Sequence, residues 1–168
     1  MADQNKKVQS LLSTYYFLLL EPDSERSKTA NALLIEQLGG SLTKDKKNNQ
    51  ITINIDSDTS NMEWTTAELI LSMVEVTSST KNKKGKGADK IFIEKTSNLF
   101  KFLGELKEDK HEGIWWELYV PLFSKIADSE HMDTFCHYVR MSTNKNSKKW
   151  LEKNPDAINK FAEWLKGN

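Results

Sequence analysis

The chain has 168 residues, of which 38% are hydrophobic and 29% charged, and its 24 basic and 24 acidic residues give a formal net charge of zero. A length in this range is typical of one domain, and five Trp, four Tyr and seven Phe are too many for an intrinsically disordered chain. The charge balance removes any global electrostatic argument for binding nucleic acid or an anionic membrane.

The cysteine content and the apolar runs indicate a cytoplasmic protein. One cysteine, Cys136, excludes an intrachain disulfide and is typical of a reducing compartment. The apolar stretch from Val8 to Leu20 is interrupted by polar residues and followed by Glu21-Pro22-Asp23, which disfavours a signal peptide. No window contains the roughly eighteen apolar residues that a membrane span needs, so no membrane partner is expected.

Two amphipathic helices are predicted at the beginning of the chain. Apolar residues between Val8 and Leu19 recur at the spacing of one helix face. Pro22 ends this helix, and Gly39-Gly40 ends a second one, because glycine adopts the left-handed C-cap conformation at little cost. The short connection between the two predicts an antiparallel helical hairpin over 5–39.

The pattern then changes to the period of a β-strand. Isoleucines alternate with polar residues over 51–55, so one face is apolar and the other polar. One strand is not stable alone, and its nearest partner is 41–44, with 90–94 as a second candidate. We therefore predict a β insertion over 41–56, either a hairpin or a three-stranded piece that includes 90–94.

Helices are predicted to resume over 61–107. A wide apolar stripe predicts one helix from 61 to about 79, and the polar segment from Thr77 to Gly87 indicates a loop. A further helix is expected over 96–107, although Gly104 weakens it.

Short consecutive helices are predicted over 113–166. Apolar residues keep helical spacing through Pro121, where proline should kink the helix. Asn154-Pro155-Asp156 marks a new helix start, with a cap, a proline at the first position and an acid in the first turn. The fold class is therefore mainly α: a bundle of about six to seven helices with the β insertion, in a single domain over 1–168.

Three aromatic residues are candidate partner-binding residues. Trp115 and Trp116 are about 100° apart on a regular helix, and Trp115 fits the inner stripe, which leaves Trp116 on a flank. Tyr16 and Phe17 lie beside the inner face of the first helix in the same way. Exposed together, these rings would form a patch that attracts another protein. The alternative is that a neighbouring helix of the same domain covers them.

A lysine-rich segment, 81–90, is a candidate anion-binding site. It has five lysines against one aspartate. The candidate anion-binding residues are Lys81, Lys83, Lys84 and Lys86. The segment lacks the phosphate-loop motif, so the functional interpretation is non-specific contact with nucleic acid or an acidic partner, together with the second lysine-rich turn, 44–47. The alternative is a solvated loop, because no aromatic residue is interleaved for base stacking.

The sequence lacks residues that known metal-binding and catalytic motifs require. His131, Cys136 and His137 are ligand types for zinc, but on a helix Cys136 faces the core while His137 lies outward with Asp133. The calcium-loop-like start at 56–60 places Asn61 where glycine is needed and Ala67 where the bidentate glutamate belongs. Hydrolase, zincin, dinucleotide and redox motifs are missing from the sequence. No catalytic residue, metal or cofactor is therefore predicted.

Three classes of function follow in order of preference. The first is a non-catalytic module that binds another protein or its own copy through aromatic helical surfaces. The second is non-specific nucleic-acid binding through 44–47 and 81–90. The third is an enzyme of a type without a recognisable motif.

Overall fold

A computed structural model describes residues 6–39, 42–45, 50–53, 62–81 and 87–167, and these are mainly helical. In chain order the elements are α1 (Lys7–Leu20), α2 (Glu25–Gly39), β1 (Leu42–Asp45), β2 (Gln50–Ile53), α3 (Met62–Lys81), α4 (Ala88–Leu106), a π-helical turn (Trp115–Tyr119), α5 (Val120–Asp128), α6 (Met132–Val139), α7 (Lys145–Lys153) and α8 (Pro155–Gly167).

Helix α1 lies at the centre of the molecule. It packs against α2, α3, α6 and the π-helical turn, so more than one of its sides is covered. This explains why polar residues as well as apolar ones are buried along it, including Gln9 and Thr14. The Thr14 hydroxyl donates to the Ser10 carbonyl at 2.8 Å, which satisfies the buried group within the helix.

The centre of the core is a cluster of aromatic rings from four helices. Tyr15 of α1 meets Phe100 of α4 edge to face at 4.9 Å between centroids, and Phe100 stacks on Phe123 of α5 at 4.6 Å. Phe135 of α6 lies 5.9 Å from Tyr15. The buried Tyr15 hydroxyl is paired with the Thr96 hydroxyl at 2.7 Å, so the core holds a polar group without leaving it unsatisfied.

A two-stranded antiparallel sheet lies between α2 and α3. Leu42 is opposite Ile53 and Asp45 is opposite Gln50, and β1 runs next to α3. Residues 54–60, with Ile55 of the expected strand and the calcium-like segment, lie outside the described residues.

The alternative third strand at 90–94 is wrong, because these residues belong to α4. Phe92 begins a buried face that continues at helical spacing through Thr96, Leu99, Phe100 and Leu103. A run of three apolar residues fits either period, and only the longer face distinguishes them. The predicted start of the following loop, at Thr77, is also too early, because α3 continues to Lys81.

The irregularity expected at Pro121 takes the form of a π-helical turn immediately before it. The Val120 amide donates to the Trp115 carbonyl, which is an i→i+5 bond, and Pro121 follows in the first turn of α5. Proline has no amide hydrogen and its ring crowds the carbonyl four residues earlier. The π turn widens the helix immediately before the residue whose ring must be accommodated.

Helix α8 begins where the Asn154-Pro155-Asp156 motif predicts, whereas α7 begins at Lys145. Asn144 caps α7 by accepting hydrogen bonds from the amides of Asn146, at 2.9 Å, and Ser147, at 3.1 Å. Pro155 starts α8. Within the described ranges, no helix has both the length and the apolar character required to cross a membrane.

Candidate functional site

Trp116 is buried, so the prediction that it is an exposed partner anchor is wrong. Only 2% of its surface is exposed. Its indole stacks on Trp64 of α3 at 4.8 Å between centroids and on the His111 ring at 4.2 Å. A neighbouring helix, α3, covers Trp116, which is the alternative that the sequence left open.

The π-helical turn explains why the two tryptophans exchange roles. A π turn contains about one residue more than an α turn, so it shifts the buried face by one position. The expected inner residues Trp115 and Tyr119 are half-buried, and their successors Trp116 and Val120 are buried instead. Beyond the turn, Phe123 and Ile126 are buried as expected.

The same shift places aromatic and aliphatic side chains at the surface. Tyr119 contacts Tyr16 of α1 edge to face at 5.1 Å and Trp115 at 4.9 Å. Beside these half-buried rings, Ile114 is 55% and Leu118 45% exposed. Leu118 lies one turn from Ile114 and Tyr119 one turn from Trp115, so they share one surface. We call this set, Tyr16, Ile114, Trp115, Leu118 and Tyr119, the aromatic patch.

Phe17 does not share a ring contact with this patch. Its ring is half-buried against the core, and the guanidinium of Arg26 lies 5.7 Å from its centroid. Arg26 is also paired with the Glu21 carboxylate, which connects the end of α1 to the start of α2. Of the three aromatic residues predicted to bind a partner, only Tyr16 therefore lies in the aromatic patch.

Acidic residues surround the chain segment that carries the patch. The segment 105–117 has five carboxylates and two lysines. Glu112 and Glu117, which directly flank Gly113 and the tryptophans, are exposed. Glu108 is paired with Lys110 at 2.8 Å, and this contact lowers the pKa of its carboxyl group. The exposed rim of the aromatic patch is therefore negatively charged.

The histidine and cysteine residues considered as zinc ligands do not converge. Cys136 is buried, and its burial raises the pKa of the thiol, with the charge of Asp133 adding to the effect. His131 packs against Phe161 and Trp164, with centroids 5.8 and 5.5 Å away. Among the described residues, no group of three or more histidine, cysteine or acidic residues could hold a metal ion.

His137 faces inward, contrary to the expectation that it pairs with Asp133 on the outer face. Its ring stacks on Trp150 of α7 at 4.5 Å, and its Nδ1 is 3.1 Å from the Ser147 hydroxyl. Desolvation at this position lowers the pKa of His137, and the charges of Asp89 and Asp133 oppose that shift. The pattern on α6 alone contains no sign of α7, which covers this side.

A polar cluster joins the start of α4 to the α6–α7 connection. The Asp89 carboxylate accepts hydrogen bonds from Arg140 Nη1 at 3.0 Å and from Asn144 Nδ2 at 2.7 Å. The guanidinium of Arg140 also lies over the Phe92 ring, 4.6 Å from its centroid. These residues are more than fifty positions apart in the chain, and no motif relates them.

The structure describes part of each of the two lysine-rich segments predicted to bind anions. Lys83, Lys84 and Lys86 lie outside the described residues, as do Lys46 and Lys47 of the other lysine-rich turn. Lys81 is the last residue of α3. The segment continues at Gly87, the N-cap of α4.

Comparison of the chain with protein-family models, curated proteins and solved structures finds no match.

Proposed function

We propose that this protein is a non-catalytic interaction module whose aromatic patch binds a segment of another protein that carries apolar side chains beside lysine or arginine.

The observation that carries the proposal is the pair of exposed aliphatic residues beside three rings of which Tyr119 contacts the other two. Ile114 and Leu118 offer side chains that a partner can cover, and burial of an aliphatic side chain contributes about 1.5–3 kcal/mol. Tyr16 and Tyr119 are held edge to face. Aromatic rings held in place by such contacts lose little entropy on binding, and tyrosine and tryptophan are enriched among residues that dominate interfaces.

The charge of the rim favours a basic partner segment. Glu112 and Glu117 are exposed next to the patch. Opposite charge at the rim speeds association and selects the orientation of the partner, while the apolar centre supplies most of the affinity. Among the histidine, cysteine and tyrosine side chains of the core, the buried Cys136 and Tyr15 have raised pKa values, and neither is suited to nucleophilic chemistry.

The test begins with selection of binding peptides from a displayed random library by the wild-type protein. We expect the selected peptides to combine lysine or arginine with aliphatic or aromatic residues. Their affinity is then measured for a variant carrying Ile114→Ser and Leu118→Ser. Loss of both aliphatic contacts should weaken binding at least tenfold, the equivalent of about 1.4 kcal/mol.

A matched control removes two aliphatic side chains from another surface. Leu33 and Ile35 of α2 are 41% and 45% exposed, so Leu33→Ser with Ile35→Ser changes apolar exposure to a similar degree. This control should bind the peptides as the wild type does. A second variant, Glu112→Lys with Glu117→Lys, should slow association at low salt.

Three outcomes contradict the proposal. Selected peptides without basic residues would show that the partner segment is not basic. Equal loss of affinity in the α2 control would show that the aromatic patch is not the binding surface. Self-association in light scattering that Ile114→Ser with Leu118→Ser abolishes would assign the patch to a second copy of this chain instead of another protein.

A further inference from the structure

Helix α7 has a one-sided distribution of charge. Its nine residues include four lysines and one glutamate. Lys145, Lys149 and Lys153 are spaced by four residues, so they form one stripe with successive residues about 6 Å apart along the helix axis. All three are exposed, while Ser147 and Leu151 on the opposite side are buried against the protein.

The fold places this stripe beside the segment that the sequence marked as lysine-rich. Asp89, two residues after Gly87, accepts a hydrogen bond from Asn144 at 2.7 Å and lies 3.4 Å from the Asn146 amide nitrogen. Asn144 is the cap of α7. The C-terminal end of the segment 81–90, with the exposed Lys90, is therefore attached to the N-terminal end of α7.

The Asp89–Asn144 hydrogen bond thus brings the start of α4, which carries Lys90, to the start of α7, about 55 residues later in the sequence. The Asp89 carboxylate makes hydrogen bonds to Arg140 as well as Asn144, so its negative charge is compensated inside the cluster. Lys148 is 3.9 Å from Asp23, which leaves the other three lysines of α7 as the charged stripe. A molecule of zero net charge therefore has a local basic surface.

We propose that this basic surface, Lys90 with Lys145, Lys149 and Lys153, binds the phosphate backbone of nucleic acid without reading its sequence. It is separate from the aromatic patch, so the proposal stands independently of the function proposed above.

The chemistry of the surface favours a nucleic-acid backbone over a membrane. Lysine provides a point charge without the bidentate geometry by which arginine reads bases, so repeated phosphate contacts fit it better than base contacts. Binding of an amphipathic helix to a membrane needs an apolar face that can enter the lipid. Leu151 is buried in the protein and Trp150 stacks on His137, so the apolar side of α7 is already used.

The test is a salt titration of binding to a short labelled duplex of random sequence, read by fluorescence anisotropy. The variant carries Lys145→Gln, Lys149→Gln and Lys153→Gln, since glutamine removes charge and keeps helix propensity. Log K falls as log salt rises, and each lost phosphate contact reduces the magnitude of this slope by about 0.9. We therefore expect the slope of the triple variant to be smaller in magnitude by about 2.7. Circular dichroism checks that the variant keeps its helix content.

A control with the same loss of charge uses three exposed lysines elsewhere, Lys101→Gln, Lys107→Gln and Lys125→Gln. We expect its slope to equal that of the wild type. Lys90→Gln added to the α7 variant should reduce the magnitude of the slope by about a further 0.9.

Several results would overturn the proposal. Binding by the wild type that does not depend on salt, or no binding at low salt, would exclude a phosphate-backbone surface. An unchanged slope in the α7 variant would exclude α7. Tighter binding to phosphatidylserine vesicles or to polyglutamate than to the duplex would assign the surface to a membrane or to an acidic protein.

Discussion

The neighbouring residues Trp115 and Trp116 have different environments, and one backbone hydrogen bond determines which of the two is buried. The Val120 amide bonds to the Trp115 carbonyl instead of the next one along the chain, so the turn gains a residue. Trp116 enters the space between Trp64 and His111, and Trp115 stays at the edge of the core beside Tyr119. The residue type alone would allow either arrangement.

This difference predicts unequal costs of truncation. Trp116→Ala should lower the free energy of unfolding by about 3–5 kcal/mol, because it removes a buried ring and leaves a cavity. Trp115→Ala should cost less, about 1–2 kcal/mol, since Trp115 is half-buried and less apolar area is lost. Urea unfolding of the two variants measures both values. A larger cost for Trp115→Ala would mean that a regular helix, without the π turn, is present in solution.

At the scale of elements, Gly104 marks the place where α4 and α5 approach each other. A methyl group at position 104 would lie 2.8 Å from Ser124 Cβ, closer than real side-chain contacts allow. In an isolated helix Gly104 would be a weakness, because glycine has a low helix propensity. In the folded protein, the absence of a side chain permits the close contact that brings Phe100 onto Phe123.

We therefore expect Gly104→Ala to destabilise the protein although alanine is the better helix former. Overpacking costs about 1–3 kcal/mol, which exceeds the gain in helix propensity of about 1 kcal/mol. Thermal unfolding should show a lower midpoint for Gly104→Ala, and Ser124→Gly should restore much of the loss by removing the opposing side chain. Gly39→Ala is the control, because nothing lies within 4 Å of a methyl group there. A stabilised Gly104→Ala variant would show that α4 and α5 are farther apart.

Element boundaries differ in how far the sequence predicted them. Pro22 ends α1 within two residues and Pro155 starts α8, because proline acts on the backbone without help from the rest of the fold. The sequence contains a candidate strand at 90–94, but three consecutive apolar residues fit a helix as well. Its burial against Tyr15 and the core, through Phe92, favours the helix.

At the scale of the whole molecule, two polar clusters connect earlier helices to the C-terminal helices. Asn31 of α2 donates to the Val139 carbonyl at the end of α6 at 2.9 Å. Asp89 of α4 bonds to Arg140 and Asn144 just beyond it. Both contacts converge on the same connection between α6 and α7, so this short segment orients the last helices relative to the rest.

Asp89→Ala should disturb that connection. It removes a charge-assisted hydrogen bond and leaves the mostly buried Arg140 guanidinium without its carboxylate, at a cost of about 1–3 kcal/mol. Asp109→Ala, at an exposed position, should change the free energy of unfolding little. Chemical denaturation measures both, and hydrogen exchange should be faster in α7 of the Asp89 variant. Equal stability of the two variants would mean that Asp89 does not hold α7.

The sequence by itself determined the helical class, the amphipathic first helices and the starts and stops at proline, because these depend on local backbone chemistry and on the period of apolar residues. The tertiary structure alone decided which surfaces a partner could reach. Trp116 is covered by α3, His137 is covered by α7, and Asp89 at the start of α4 is bonded to Asn144, the cap of α7. Such outcomes depend on contacts between residues far apart in the chain, and the spacing of side chains along one helix carries no record of what packs against it.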